Sequence, residues 1–588
     1  MRSVISVLIS VILLTFVSPA LGHTILVETE SFENLGGWVV DQQCMGQMGS
    51  PYLLAHGLGR PVQDASTTVT FPAGGEYRIW VRTRDWVAPW DTPGAPGKFQ
   101  LVIDGEPLET TFGTEGAQWH WQSGGTVSVE KRDVTLRLHD LTGFDGRCDA
   151  IFFTTDGSLV PPNEDPQMAD FRRHLLGLPK EPQDSGNFDL VVVGGGMAGT
   201  CAAVSAARLG LQVALVQDRP VLGGNNSSEV RVWLGGKTNY EPYPRIGDIV
   251  RELDPHTKTC PAPAADYGDD KKLAVVRAEE NISLFFNYHA NEVQTAAGRI
   301  KAVIAQNVIN SRRLRFAARS FADCTGDGTI GYLAGADFDI TLTGHLGPTN
   351  LWRVVDTGEP VAFPRCPWAI DLSDKPFPDE LNRLGKWFWE SGFDHDPIAK
   401  AEYIRDTNLR AMYGAWDCLK NVRRKYPNHK LEWAAYIAGK RESRRLLGDV
   451  ILTKEDLMSG REYPDGFVPT SWTIDLHYPD KRYEEGFEDN PFISKAEFVK
   501  YPRPYWVPYR CLYSRNVTNL FMAGRDISVT HQALGTTRVM RTCGMMGEVV
   551  GMAASLCKEH NTNPRGVYED HLAELKLLAK QGVGKLDR

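Results

Sequence analysis

The chain has 588 residues and a mass of 65.4 kDa, too long for one hydrophobic core, so two or three domains are expected. With 42% hydrophobic and 23% charged residues, it reads as an ordinary globular protein. A formal net charge of -9 and a pI near 5.9 leave no basic footprint, which argues against nucleic acid as a partner and turns attention to a small molecule or a glycan.

Arg2 precedes an apolar run from Val4 to Val17, and the small residues Ala20 and Gly22 follow. That pattern predicts a signal peptide over residues 1–22, hence an exported protein, periplasmic or secreted. The run is shorter than the ~20 residues of a spanning helix, and no later segment approaches that length, so a soluble mature protein is expected. Arg2 has no second arginine beside it, so no twin-arginine signal is expected.

Residues 23–156 read as an all-β sandwich: Glu76 to Arg82, Phe99 to Ile103 before an Asp104-Gly105 turn, Val134 to Leu138 and Ala150 to Phe153 look like strands. Six tryptophans fall here, among them Trp86, Trp90, Trp119 and Trp121, which suit either a small core or the face of a sugar. Cys44 and Cys148 lie near the two ends of this module, and in an oxidising compartment they could pair. A Pro-rich linker is expected over residues 157–186. The cysteines show no C-x-x-C and the histidines no H-E-x-x-H, so zinc chemistry is not indicated.

From Phe188 the grammar changes. Asp189 to Val193 is an unalternated buried strand, Gly194 to Gly199 a glycine loop, the next residues to Leu209 an Ala-rich helix, and Gln212 to Val216 a second strand. This is the mononucleotide-binding unit of a doubly wound sheet. Further strands are expected at Leu284 to Tyr288, Arg299 to Val308, Arg312 to Phe316 and Arg319 to Cys324, a helix at Leu431 to Leu447, and a buried strand ending at Gly524. The fold class is therefore α/β: a Rossmann-like nucleotide domain in two parts (187–338 and 510–588), opened by a mixed α+β substrate domain (339–509) and preceded by the β-sandwich.

In Gly194-x-Gly196-x-x-Gly199 the first glycine makes the turn, the second lets backbone amides approach a pyrophosphate, and the third lets helix and strand pack; Met197 and Ala198 begin the helix whose N-terminus faces the phosphates. Where an acidic residue usually takes the ribose hydroxyls stands Gln217, followed by Asp218, and either can make that contact.

Val221 to Glu229 (with Gly223, Gly224 and Asn225), Ala322 to Gly328 (with Asp327), and Asn519 to Ser528 resemble FAD-dependent oxidoreductases of the glutathione-reductase and succinate-dehydrogenase structural type. More closely, they resemble the FAD-dependent oxidoreductase family of polysaccharide-degrading bacteria. The resemblance covers roughly Phe188 to Cys557 and recurs at Arg441 to Asp449, Ile474 to His477 and Thr530 to Gly535. It implies that the cofactor is FAD. It further implies that Gly524, Arg525 and Asp526 close the site, with Asp526 on a ribityl hydroxyl, and that Arg538 and Arg541 face the flavin pyrimidine from the start of a helix at Val539 to Cys557. Arg541 reads equally well as a surface salt-bridge residue. Gly544, Gly547 and Gly551 would let that helix pack tightly. No histidine stands between Gly223 and Glu229, so covalent flavin attachment there is not expected.

The front module faintly resembles carbohydrate-binding β-sandwiches, which implies a structural calcium on Glu28, Glu30 and Asp149. For catalysis, His531 and His477 are the acid/base candidates and Arg444 a substrate clamp. The expected reaction is oxidation of a secondary hydroxyl of a sugar or glycan, with an unknown electron acceptor. The rivals are a redox-neutral, flavin-assisted cleavage and a glycan-binding protein that uses a flavin fold as scaffold.

Overall fold

The computed structural model describes residues 22–585; the expected signal peptide lies almost entirely outside them. Residues 22–156 form antiparallel sheets joined by loops and short helical turns. One four-stranded sheet orders Thr24–Glu28, Ala150–Thr154, Gly75–Thr83 and His120–Val129; the other orders Ala65–Thr70, Asp133–Asp140, Phe99–Ile103 and Glu106–Pro107. A three-stranded sheet of Gly146–Cys148, Tyr52–Ala55 and Val39–Asp41 joins them. Alternation along Asp133–Asp140 turns Val134, Leu136 and Leu138 inward onto a shared core with Tyr77, Ile79, Phe99 and Phe153.

Glu28, Glu30 and Asp149, the residues expected to hold calcium, lie in one buried cluster with two arginines. Arg172 donates to Glu28 (2.8 Å) and Asp149 (2.5 Å), and Arg82 reaches Asp149 at 2.7 Å, so two guanidiniums neutralise the carboxylates a cation would need. Both Glu30 oxygens and Glu28 Oε1 are buried without partners. Burial lifts Glu28 to about 7, against the pull of Arg172, and holds Glu30 well above the carboxylate range. Glu28, Glu30 and Asp149 are thus gathered in one buried cluster, close enough to raise one another's carboxyls. Arg172 comes from a helix, Gln167–Leu175, inside the expected linker, and Phe171 and Leu175 of that helix pack on Leu26, Trp80 and Phe152. Cys44 and Cys148 are free thiols in separate apolar clusters, not a disulfide.

The second half is a mixed α/β structure around a seven-stranded sheet. Its order is Ile282–Phe286, Val213–Gln217, Gln183–Val193, Arg313–Asp323, Arg299–Asn307 and Tyr288–Ala296, with Leu520–Met522 pairing in parallel with the end of Arg313–Asp323. The first four of these strands run parallel, and the Val, Leu and Ala residues of the central runs Leu190–Val193 and Val213–Val216 are buried on both faces. The two strands expected between Arg312 and Cys324 are one, and Tyr288–Ala296 is an added antiparallel strand.

The helix Met197–Arg208 packs on the sheet, and the helix Met540–Glu559 packs on that helix. Glycines set their approach: a Cβ on Gly547 would lie 2.0 Å from the Ala198 carbonyl oxygen, and one on Gly551 2.6 Å from Ser205 Cβ. The expected helix over Leu431 to Leu447 does not form. His429–Ala434 is a strand paired with Trp352–Asp356, Gly439 exchanges backbone hydrogen bonds with Thr349 (2.7 and 3.1 Å), and Arg445–Leu446 pairs with Phe338–Asp339. Pairing with distant chain outweighs local helix propensity there.

Candidate active site

A cavity of about 500 Å³ runs from the glycine loop to the start of the Met540–Glu559 helix. Gly194 has φ +100, where a Cβ would meet the Cys324 carbonyl oxygen at 2.4 Å, and a Cβ on Gly199 would sit 1.8 Å from the Gly194 oxygen. Gly196 is different: the nearest atom to a Cβ there is Gly224 Cα at 3.8 Å, so its face is open to the cavity beside Met197 and Ala198. The Gly223-Gly224 turn closes on the loop through a Gly223 N–H to Gly195 carbonyl bond of 2.8 Å. Bare backbone at a helix N-terminus is what a pyrophosphate requires, so these residues fit a dinucleotide.

Gln217 and Asp218, the two ribose candidates, both line the cavity but differ in their hydrogen bonding. Gln217 accepts from the Gly195 N–H (2.7 Å) and donates to the Val221 carbonyl (3.0 Å), so its amide is spent holding the loop. Asp218 faces the cavity; burial would raise its carboxyl, but His289, Arg219 and Lys440 hold it below the ordinary range, ionised. Asn225 also lines the cavity and donates to the Lys440 carbonyl at 3.0 Å. Asp327 sits in a basic clasp of Lys440 (2.6 Å), Arg525 (3.2 Å) and the Ser443 hydroxyl (2.7 Å), which overrides burial and holds it far below the usual carboxylate range.

At the closing strand, Gly524 (φ +126) and Arg525 line the cavity. Asp526 does not. It is fully buried beside Asp323 with neither oxygen partnered, and burial, reinforced by the Asp323 charge, keeps it protonated. Arg538 lines the cavity, its Nη2 donating to the Asp475 carbonyl oxygen at 3.0 Å. Arg541 turns away to Asp254 at 2.5 Å, so the salt-bridge reading holds for it.

Of the two histidines, His477 faces the cavity and His531 does not. His531 begins the short helix His531–Thr537 and pairs with Glu442 (2.8 Å) behind the wall. Arg444 also lies behind it, donating to the Asp327 carbonyl (3.1 Å) with its guanidinium 4.1 Å over the Tyr332 ring. His477 projects from the strand Ile474–Pro479. Its Nδ1 is 2.6 Å from Glu390, its Nε2 is 3.2 Å from Asp475, and its ring lies 4.9 Å from Trp387. Glu390 is fully buried; burial would raise it, but Arg441 (3.0 Å) and His477 hold it ionised. Trp233, Trp387, Trp472 and Phe498 form an aromatic mouth around this end, and all but Trp472 are exposed. Glu390 and Trp387 carry no local motif, whereas Asp475 lies in the Ile474 to His477 stretch that carries the resemblance.

A glycine-loop strand–helix unit on a parallel sheet, with a bare-backbone cradle opening into a deep cavity, defines a dinucleotide-binding α/β protein. The chain belongs to the FAD dependent oxidoreductase family, which it matches over residues 189–346 and 369–577. It is thus an FAD-dependent oxidoreductase. Solved structures similar to parts of it include a glycerol-3-phosphate dehydrogenase from Bacillus halodurans complexed with FAD (15% identity, 30% of this chain and 41% of that chain, TM-score 0.22). A quinol fumarate reductase from E. coli matches at 12% identity over 67% of this chain and 74% of that chain, with a TM-score of 0.29. A family 35 carbohydrate binding module from Clostridium thermocellum matches at 13% identity over 22% of this chain and 96% of that chain, with a TM-score of 0.18.

Proposed function

We propose that this oxidoreductase acts on a secondary hydroxyl of a sugar or glycan, with His477 as the proton acceptor. The observation that carries the reading is the meeting, in one cavity, of the dinucleotide cradle with His477 and an aromatic mouth. FAD, when bound, accepts the hydride. With Nδ1–H donated to Glu390, the lone pair of His477 is on Nε2, which takes the hydroxyl proton once the substrate hydroxyl lies between it and Asp475. Asp475, 3.2 Å from Nε2, stabilises the imidazolium that results; the His477 contact and then Arg538 hold its own carboxyl low against burial. The alcohol thus loses a hydride and a proton and becomes a ketone. Trp233, Trp387 and Phe498 offer flat apolar faces of the kind that pack against the C–H faces of a pyranose.

Anaerobic mixing of the flavin-loaded protein with a panel of sugars and oligosaccharides tests this. Flavin bleaching by a subset of them, with the oxidised sugar as product, is the expected result. Bond cleavage without net bleaching or an added acceptor would instead establish the redox-neutral reading, and no response to any sugar would reject the substrate class. We also propose export, on the charge and apolar pattern of residues 2–22; N-terminal sequencing of the mature protein checks it.

A further inference from the structure

The front module does not hang from the oxidoreductase on a tether. Arg147 grips Asp406 through both terminal nitrogens (2.9 and 2.7 Å) and Glu402 at 2.6 Å. Arg405 reaches Asp41 at 2.7 Å, and His56 bridges Asp145 and the Ala434 carbonyl (2.5 and 3.2 Å). The tryptophans expected either in the core or on a sugar are used here: Trp86 packs edge-on against Trp368, Trp90 stacks on Tyr403 at 4.6 Å, and Trp119 donates to Glu402.

One loop of the module goes further, into the cavity. Gln43 clamps the wall segment: its Nε2 donates to the Tyr436 carbonyl (2.9 Å) and its Oε1 accepts the Ala438 N–H (2.7 Å), just before Lys440. Lys440 holds Asp327 and lies close enough to Asp218 to lower its pKa, so this segment belongs to the Asp218 end of the cavity. Next to the clamp, Gln42 lines the cavity with only 4% of its surface exposed. The Gln42 side chain makes no hydrogen bond among the described residues, so its donor and acceptor are left to what occupies the cavity it lines.

We propose that the front module is a working wall of the FAD site: Gln42 hydrogen-bonds the adenosine half of FAD, and Gln43 positions the Tyr436–Lys440 segment around it. This rests on FAD occupying the cavity and is independent of the substrate reading. FAD would then leave only when the interface between module and oxidoreductase loosens, so cofactor retention and module docking are coupled.

Equilibrium titration of apoprotein with FAD, followed by flavin fluorescence, tests it. Gln42→Ala should weaken FAD binding about three- to tenfold, the scale of one neutral hydrogen bond. Gln42→Glu, which keeps an acceptor in place, should recover part of the loss. Gln43→Ala should speed FAD dissociation by a similar factor. An unchanged FAD affinity in Gln42→Ala, or a raised KM with intact FAD affinity, would overturn the assignment. If Gln42→Ala does not fold, Gln42→Glu and the Gln43→Ala dissociation rate decide it. Absence of sugar oxidation by the wild type would reject the substrate proposal and leave this one standing.

Discussion

Gly547→Ala tests whether the packing of the Met540–Glu559 helix sets the shape of the cofactor cradle. The added Cβ would lie 2.0 Å from the Ala198 carbonyl oxygen and 2.9 Å from the Ala202 nitrogen, both rigid helix backbone. The helices must therefore part by roughly 1 Å or more, an overpacking that costs about 3 kcal/mol at the upper end of the usual range because no side chain can swing aside. Alanine returns about 1 kcal/mol of helix propensity. The net loss is about 2 kcal/mol, or about 4 to 8 °C in Tm for a domain of this size. Ala198 also lines the cavity at the first turn behind the glycine loop, so FAD affinity should fall with stability. Thermal melts of apo and FAD-loaded protein measure both, with Gly157→Ala as the control because nothing lies within 4 Å of its Cβ. A Gly547→Ala protein with wild-type melting and FAD affinity would refute the packing argument.

Three further outcomes follow from the charged groups. Glu548 is buried and its carboxyl is pushed up to about 8, against 4.5 unfolded; the folded state therefore binds the extra proton, and stability should fall as pH rises from about 4.5 through 8. Melts across that range should show the slope, and Glu548→Gln should flatten it. His531→Asn should lower stability by loosening the Glu442 contact yet leave the rate of substrate-driven flavin bleaching within about threefold, whereas His477→Asn should slow it roughly 10²- to 10⁴-fold in stopped-flow. Asp327→Asn leaves Lys440 and Arg525 without their shared anion and should reduce FAD occupancy on purification, read from the flavin-to-protein absorbance ratio.

What the sequence discloses is local. Gly194 to Gly199 can be read as a cradle because a tight turn, an open backbone face and a close helix contact each demand glycine at a fixed place in strand–turn–helix order. The Met540–Glu559 helix is legible for the same reason, through Gly544, Gly547 and Gly551. Where partners come from far along the chain, the reading fails. Leu431 to Leu447 has helix-forming composition but is drawn into pairing with Trp352–Asp356 and Phe338–Asp339. His531 follows the closing strand closely in sequence, yet the helix that starts at it turns the ring behind the wall. His477, remote in sequence, is delivered to the cavity by a strand pairing with Ser494–Val499. Asp526 stands next to two lining residues and points into the protein. Gln42 and Gln43 could not have been assigned to the cavity from sequence, because their roles exist only after two separately folded regions meet.

The central claim is that the cavity opening from Gly196 holds FAD. It is tested most directly by acid precipitation and chromatographic assay of the released flavin from wild type and Gly196→Val. A side chain at that open face would occupy the space where backbone must approach the pyrophosphate. The account predicts FAD in the supernatant of the wild type and none from a folded Gly196→Val protein. Full flavin occupancy in Gly196→Val, or a wild type carrying NAD or no nucleotide, would contradict it.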